Sequence, residues 1–302
     1  MNAPQASLLP DGRRLHLNHG PIDLIVEAFG EPEEIRLAYR QATARFHTVL
    51  GELVEELAEL RRPASVGGER AFQGQIARRM EAAVIPLATV FVTPMAAVAG
   101  AVADEVIAAL TPGRRLDKAY VNNGGDIALH VAPGQSLTVA IGGTGHGFAD
   151  RISIESPSQV RGVATSGWRG RSFSLGIADA VTVCARTAAQ ADAAATIIAN
   201  AVNLPGHPAI TRQPACDLAP DSDLGTRLVT TAVGRLSASE VEAALASGCR
   251  VVEQLAERGL VHGAALFLRG ESRVAGHGLP SSAMRLPSHH ASSAHQSGSL
   301  HA

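Results

Sequence analysis

The sequence predicts an α+β fold in which mixed and antiparallel sheets pack against alanine-rich helices. Three observations carry that expectation. Short runs of alternating apolar residues recur between tight-turn signals, which is the period of a half-buried strand. One long charged stretch repeats its apolar residues at helical spacing. Two further helical stretches consist almost wholly of Ala, Val, Ile and Gly.

In chain order, residues 13–17 and 22–29 read as a hairpin split by His19-Gly20-Pro21. Residues 33–60 read as a helix with Leu50, Leu53, Val54 and Leu57 on its apolar side and Glu52, Glu55, Glu56 and Glu59 in water. Pro63 and Gly67-Gly68 end it, and a second helix covers 73–83. Residues 84–92 read as a β-rich run. Pro94 suits a first helical turn, with Thr93 as cap, for a helix over 95–110. Strands are expected at 118–122, 127–131, 137–141, 152–155 and 180–185. Thr187 and Gln190 have capping-box spacing for a second alanine-rich helix, which runs to about Val202. The Pro-, Asp- and Thr-rich residues 207–226 read as a surface connection. A helix over 237–258 with Ser237 as cap and a strand at 264–268 close the pattern.

Residues 1–278 are expected to form one α+β domain, or two closely packed halves near 8–160 and 161–278. Residues 279–302, rich in Ser and His, are expected to be a disordered tail. An Ala-rich element around Asp104 recurs around Asp192, which hints at internal duplication.

Composition excludes several classes. A chain of 302 residues with a formal net charge of -2 lacks the basic surplus of a nucleic-acid or anionic-membrane binder. Three dispersed cysteines offer neither a disulfide framework nor a zinc motif, and the first residues have no secretory pattern, so a cytoplasmic protein is expected. The uncharged stretch 82–103 is long enough for a bilayer. Pro86 and Pro94 interrupt it, and a buried strand followed by a buried helix is the plainer reading.

Four constellations could carry chemistry. Asp192 and Thr196 lie one turn apart on a helix without Lys, Arg or Glu, and Asn200 continues the stripe. An Asp oxygen, a Thr hydroxyl and a backbone carbonyl suit Mg²⁺; a thin solvent stripe on a core helix is the other reading. Gly124, Gly125 and Asp126 form either a ligand-contacting turn or a plain one. Thr165, Ser166 and Gly167, followed by Trp168, Arg169 and Arg171, suit a phosphate or a solvated basic loop. The glycine-rich residues 141–147 hold His146, the one acid–base candidate there. His289, His290, His295 and His301 fall in the tail and mark no specific metal site.

Three of these pieces, GGDI at 124–127, ATSG at 164–167 and ADAAAT at 191–196, occur in this order in the ApbE superfamily of FAD:protein FMN transferases, which the chain resembles over residues 90–205. The helix ending in Val102-Ala103-Asp104 is also similar to the family's. The whole chain resembles an uncharacterised cytoplasmic branch. The resemblance implies an ApbE-like fold and Mg²⁺ held by Asp192, Thr196 and the carbonyl of Ala164. FAD or FMN would then lie along Gly124, Gly125, Asp126, Thr165, Ser166 and Gly167, with Arg169 and Arg171 as phosphate contacts.

The chain departs from the family pattern between the TSG and AD motifs. There, where the transferases carry His-x-x-Asp-Pro-x-Thr-Gly, it reads WRGRSFSLGIADAVTV. Ala99-Gly100 stands where the family has Lys-Gly. The base is therefore unassigned, with Asp179 and His146 as candidates. The expected function is a flavin- or nucleotide-binding protein, with Mg²⁺-dependent FMN transfer as its reaction. The alternative is an accessory factor to a reductive or sulfur-assimilation pathway, with a redox protein as partner. A third reading uses Arg169 and Arg171 on a carboxylate substrate. Alanine-rich helices also permit a homo-oligomer.

Overall fold

In a computed structural model of the chain, which describes residues 3–68, 70–140, 151–277 and 279, the predicted hairpin opens a long sheet. Strands β1 (Gln5–Leu8), β2 (Leu15–His19) and β3 (Ile22–Gly30) pair antiparallel in succession. Helix α1 (Pro32–Glu55) buries Phe46, Leu50 and Leu53, whereas Val54, expected on the apolar side, is exposed. The expected single helix breaks at Glu56, and the short α2 (Leu57–Leu60) follows. The Glu56 carboxylate accepts the backbone N–H groups of Gln73 and Gly74 at 2.7 and 2.8 Å, at the start of α3 (Gln75–Val84).

The run 84–92 forms no strand. Pro86 has no N–H to give a ladder, and Ile85–Leu87 closes into a 3₁₀ turn. A second 3₁₀ turn, Pro94–Ala97, precedes α4 (Val98–Leu110), so the regular helix starts later than expected. Thr93 does not cap it; its hydroxyl donates to Asp223 instead. Among the described residues no helix is long and apolar enough to cross a membrane.

Next come β4 (Leu116–Asn123), β5 (Asp126–Val131), β6 (Ser136–Ala140), β7 (Arg151–Glu155), β8 (Gly162–Ser166), β9 (Ala180–Ala185) and α5 (Ala188–Ala201). The chain ends with β10 (Ile210–Pro214), α6 (Ala215–Leu218), β11 (Leu228–Val233), α7 (Ala238–Glu257), β12 (Gly263–Leu268) and β13 (Glu271–Gly276). Part of the expected surface connection over 207–226 is thus β10 and α6, and β10 pairs with β11. The glycine-rich residues 141–147 with His146, and the tail apart from Leu279, lie outside the described residues.

Nine strands make one antiparallel sheet in the order β1-β2-β3-β4-β5-β8-β9-β12-β13. Alternation gives it two apolar faces. Leu24, Val121, Ala128, Ala164, Val183 and Leu266 face the helices in the main core. Leu129, Val163, Cys184 and Phe267 face the β6–β7 hairpin in a second cluster. The fold is therefore α+β, with antiparallel sheets and alanine-rich helices.

Helix α7 has the predicted capping box. Ser237 Oγ accepts the Glu240 N–H at 3.3 Å, and Glu240 Oε2 accepts the Ser237 N–H at 2.7 Å. Ser237→Ala should cost about 1 kcal/mol in chemical denaturation. An unchanged midpoint would show that the cap contributes nothing.

Candidate functional site

Small residues bring the site together. Where α5 starts, the backbones of β8 and α4 come so close that side chains do not fit. A Cβ on Gly162 would lie 2.1 Å from the Thr187 carbonyl, and one on Gly100 would lie 2.2 Å from the Ala188 carbonyl. At the other end of α5, a Cβ on Gly176 would meet Ala199 O at 1.9 Å. The helix is buried nearly all round. Asp192, Thr196 and Asn200 are half-buried and form the accessible stripe that their spacing predicts.

Asp126 meets this stripe from the sheet. It starts β5 directly after Gly124 and Gly125, whose φ values of 66° and 115° only glycine adopts without strain. Asn122 Oδ1 accepts the Gly125 N–H at 2.8 Å and fixes the turn. Ala128 and Ala164 lie on the helix side of the sheet, so by alternation Asp126 does too. Its Oδ1 accepts the Thr165 N–H at 3.2 Å.

The two carboxylates act on each other. Burial pushes Asp126 up to about 7, although the Thr165 N–H pulls the other way. Burial and the neighbouring Asp126 charge hold Asp192 well above the usual carboxylate range, against the pull of the Gly100 and Ala99 N–H groups. Both residues keep some accessible surface, so neither is sealed from solvent. Two neighbouring, largely desolvated acids that feel each other's charge cannot both ionise cheaply without a cation.

The remaining expected residues divide. Arg171 is exposed and reaches the glycine turn: a side chain on Gly124 would come within 3.2 Å of its Nη1. Ser166 lies on the same side of β8 as Ala164, facing the helices. Thr165 points the other way, its hydroxyl 2.8 Å from that of Thr182 on the hairpin face, and only its backbone N–H meets Asp126. A trans peptide sets the C=O of Ala164 opposite to the Thr165 N–H. The Ala164 carbonyl therefore points to β9 and away from Asp126.

At Gly167 the backbone of 178–179 comes close, since a Cβ there would lie 2.5 Å from Asp179 O. Asp179 ties down the 168–169 loop. Its oxygens take Trp168 Nε1 at 3.2 Å, Arg169 Nε at 2.9 Å and the Arg269 N–H at 2.6 Å. Trp168 packs against the main core, and Arg169 is committed to Asp179.

Sequence reasoning gave Asn123 no role beyond its place in the turn and missed that its amide donates to Ala99 O at 3.1 Å, tying the glycine turn to the start of α4. It also missed an apolar cavity of about 310 Å³ at the far end of α5, lined by Leu87, Leu175, Ile197, Leu255 and Arg258 and shared with Asn200. Its walls come from four separated segments, which no local pattern connects. Asp192 to Asn200 spans about 12 Å of helix.

No three His, Cys, Asp or Glu side chains cluster as metal ligands among the described residues. A cation here would rest on two carboxylates and neutral oxygens, a donor set that suits a hard ion.

A family model described as AbpE bacteria matches residues 6–274. A UPF0280 protein of Methanopyrus kandleri is 39% identical over 127 residues, which are 42% of this chain and 48% of that protein. A UPF0280 protein of Methanothermobacter thermautotrophicus is 40% identical over 116 residues, 38% of this chain and 44% of that one. The chain spans about half the length of these curated relatives. The apo flavinyl transferase ApbE of Pseudomonas stutzeri aligns over 91% of this chain and 96% of its own, at 12% identity and a TM-score of 0.41.

Proposed function

We propose a function from one premise: the chain belongs to the family described as AbpE bacteria. Our reading is a Mg²⁺-dependent flavin- or nucleotide-binding protein whose reaction is FMN transfer from FAD. The observation that carries it is the pair Asp126 and Asp192, which share the helix side of the sheet: Asp126 accepts the Thr165 N–H and Asp192 the Gly100 N–H, and burial raises both carboxyls, Asp192 also through the neighbouring Asp126 charge.

Asp126, Asp192 and Thr196 would hold the cation; the Ala164 carbonyl, turned to β9, stays outside this set. Bound there, Mg²⁺ would supply the positive charge that offsets a diphosphate. The Gly124-Gly125 turn lets a phosphate approach the backbone, and Arg171 stands beside it as the counter-charge. Ser166 faces the same side. The apolar cavity at the other end of the α5 stripe is large enough for a flat ring. In the transfer, a Ser or Thr hydroxyl of an acceptor attacks the FMN phosphorus, and its proton passes to solvent water. The phosphoanhydride bond breaks, and AMP leaves.

A second reading, binding without transfer in an accessory role, is favoured by one observation. The interval 168–183 holds no His and no Asp-Pro, and its single acid, Asp179, is engaged by Trp168, Arg169 and Arg269. One experiment separates the readings. Protein incubated with FAD, Mg²⁺ and a Ser/Thr peptide should release AMP, and EDTA should stop it. FAD retained without AMP supports binding alone. Neither AMP nor retained flavin or nucleotide would end both.

A further inference from the structure

We propose that Asp104 is a positioning residue for Asp192, through a reciprocal clasp between α4 and α5. The proposal rests on reading Asp192 as a cation ligand. Asp104 is buried in the middle of α4, and its Oδ1 and Oδ2 accept the N–H groups of Ala188 and Ala189 at 3.0 and 2.9 Å. These are the first two residues of α5, and the first N–H groups of a helix have no partner inside it. Thr187 satisfies the next, its Oγ1 accepting from Gln190 at 3.2 Å, and its carbonyl accepts from Ala191 at 3.1 Å as the first regular bond of the helix. The open donors of the first three helical residues, Ala188, Ala189 and Gln190, are thereby accounted for, two of them by Asp104.

The arrangement repeats with the helices exchanged. Asp192, on the second turn of α5, accepts the N–H of Gly100 at 3.0 Å, in the first turn of α4. Gly100 is also where the helices touch, with no room for a Cβ against the Ala188 carbonyl. Each helix therefore places a carboxylate on the positive end of the other, where the aligned peptide dipoles favour it.

This geometry decides where Asp192 points. Asp126 is anchored separately, through the Thr165 N–H of the sheet. The distance between the two carboxylates then depends on how α5 crosses α4, and Asp104 fixes that crossing. Without it, two buried N–H groups lose their acceptor. The start of α5 can shift, and the Gly100–Asp192 bond loosens. Asp104 never touches the cation, yet a small displacement of a ligand is enough to spoil a site.

The test uses the full chain, with Mn²⁺ as the probe and electron paramagnetic resonance to count the free ion. Hydrogen exchange at the Gly100 amide gives a readout that needs no metal. Asp104→Asn keeps one acceptor oxygen, and circular dichroism checks that it folds. We expect at least a tenfold loss of Mn²⁺ affinity and at least tenfold faster exchange at Gly100. Glu105→Gln, its buried neighbour that pairs with Arg45 and Arg79, should lower thermal stability and leave both readouts unchanged. If Asp104→Asn does not fold, Gly100→Ala pries the same crossing apart and should weaken Mn²⁺ equally. Unchanged Gly100 exchange in folded Asp104→Asn overturns the clasp. Faster exchange with unchanged Mn²⁺ affinity overturns the positioning role. No Mn²⁺ uptake by the wild type would instead sink the cation reading, and Gly100 exchange would still decide the clasp.

Discussion

Asp126→Asn should raise the melting temperature of the cation-free protein at pH 8 and remove the stabilisation given by Mg²⁺. Asp126 is pushed from 3.8 to about 7 in the fold. Between those values the folded chain keeps a proton that the unfolded chain has released. Stability therefore falls as pH rises through this window, and the contribution is fully lost above about 7. Three units correspond to roughly 4 kcal/mol as an upper bound, since each unit is worth about 1.4 kcal/mol. Asn is neutral at every pH, and its Oδ1 can still accept the Thr165 N–H. At pH 8 the variant should melt about 5–10 °C above the wild type, and at pH 4 the two should nearly coincide. Mg²⁺ at a hundred times its Kd adds about 2.7 kcal/mol to the wild type and little to the variant. A calorimetric scan across pH reads all of this. A variant that melts below the wild type by the same margin at both pH values would refute the buried-acid account.

Pattern reading succeeds where the signal is local. The β2–β3 hairpin alternates and turns at Gly20, and α7 carries its cap in a four-residue box. It fails where small residues hide the period. Strand β8 is Gly-Val-Ala-Thr-Ser, and its small side chains read as a loop. Pro94 is a fair signal for a helix start, yet the chain makes a 3₁₀ turn first because Thr93 is engaged with Asp223, 130 residues away. At the site, Asp192 and Thr196 are visible as an odd polar stripe on an alanine helix. Their setting is not. Asp104 meets its donors across 84 and 85 residues, and Asp192 meets Gly100 across 92. One sequence carries no signal for such pairs except a shared Ala-Asp element, which shows only as a hint of duplication. Thr165 shows a further limit. Its motif is contiguous, but a strand sends Ala164 and Thr165 to opposite faces of the sheet.

The same glycine-to-alanine change should have opposite signs at two places, and the contrast tests how α5 is held. At Gly162 a methyl group would sit 2.1 Å from the Thr187 carbonyl, and both atoms belong to backbone. No rotamer can relieve that overlap, so β8 and α5 must separate. That opens the packing between Ala164, Ala188 and Ala191 in the main core. Overpacking alone costs typically 1–3 kcal/mol, and a rigid backbone clash lies at or beyond the top of that range. We expect a loss of about 3 kcal/mol or more, with Mg²⁺ binding impaired because Asp192 rides on the displaced helix. At Gly51 the surroundings are open. The residue lies inside α1, is exposed, and has nothing within 4 Å of the point where a methyl group would stand. There Ala only removes freedom from the unfolded chain and should stabilise by about 0.5–1 kcal/mol. Urea unfolding of both variants measures the two signs. Gly162→Ala as stable as the wild type would mean that α5 is not clamped against β8, and Asp192 would lose the rigid support that sets it beside Asp126.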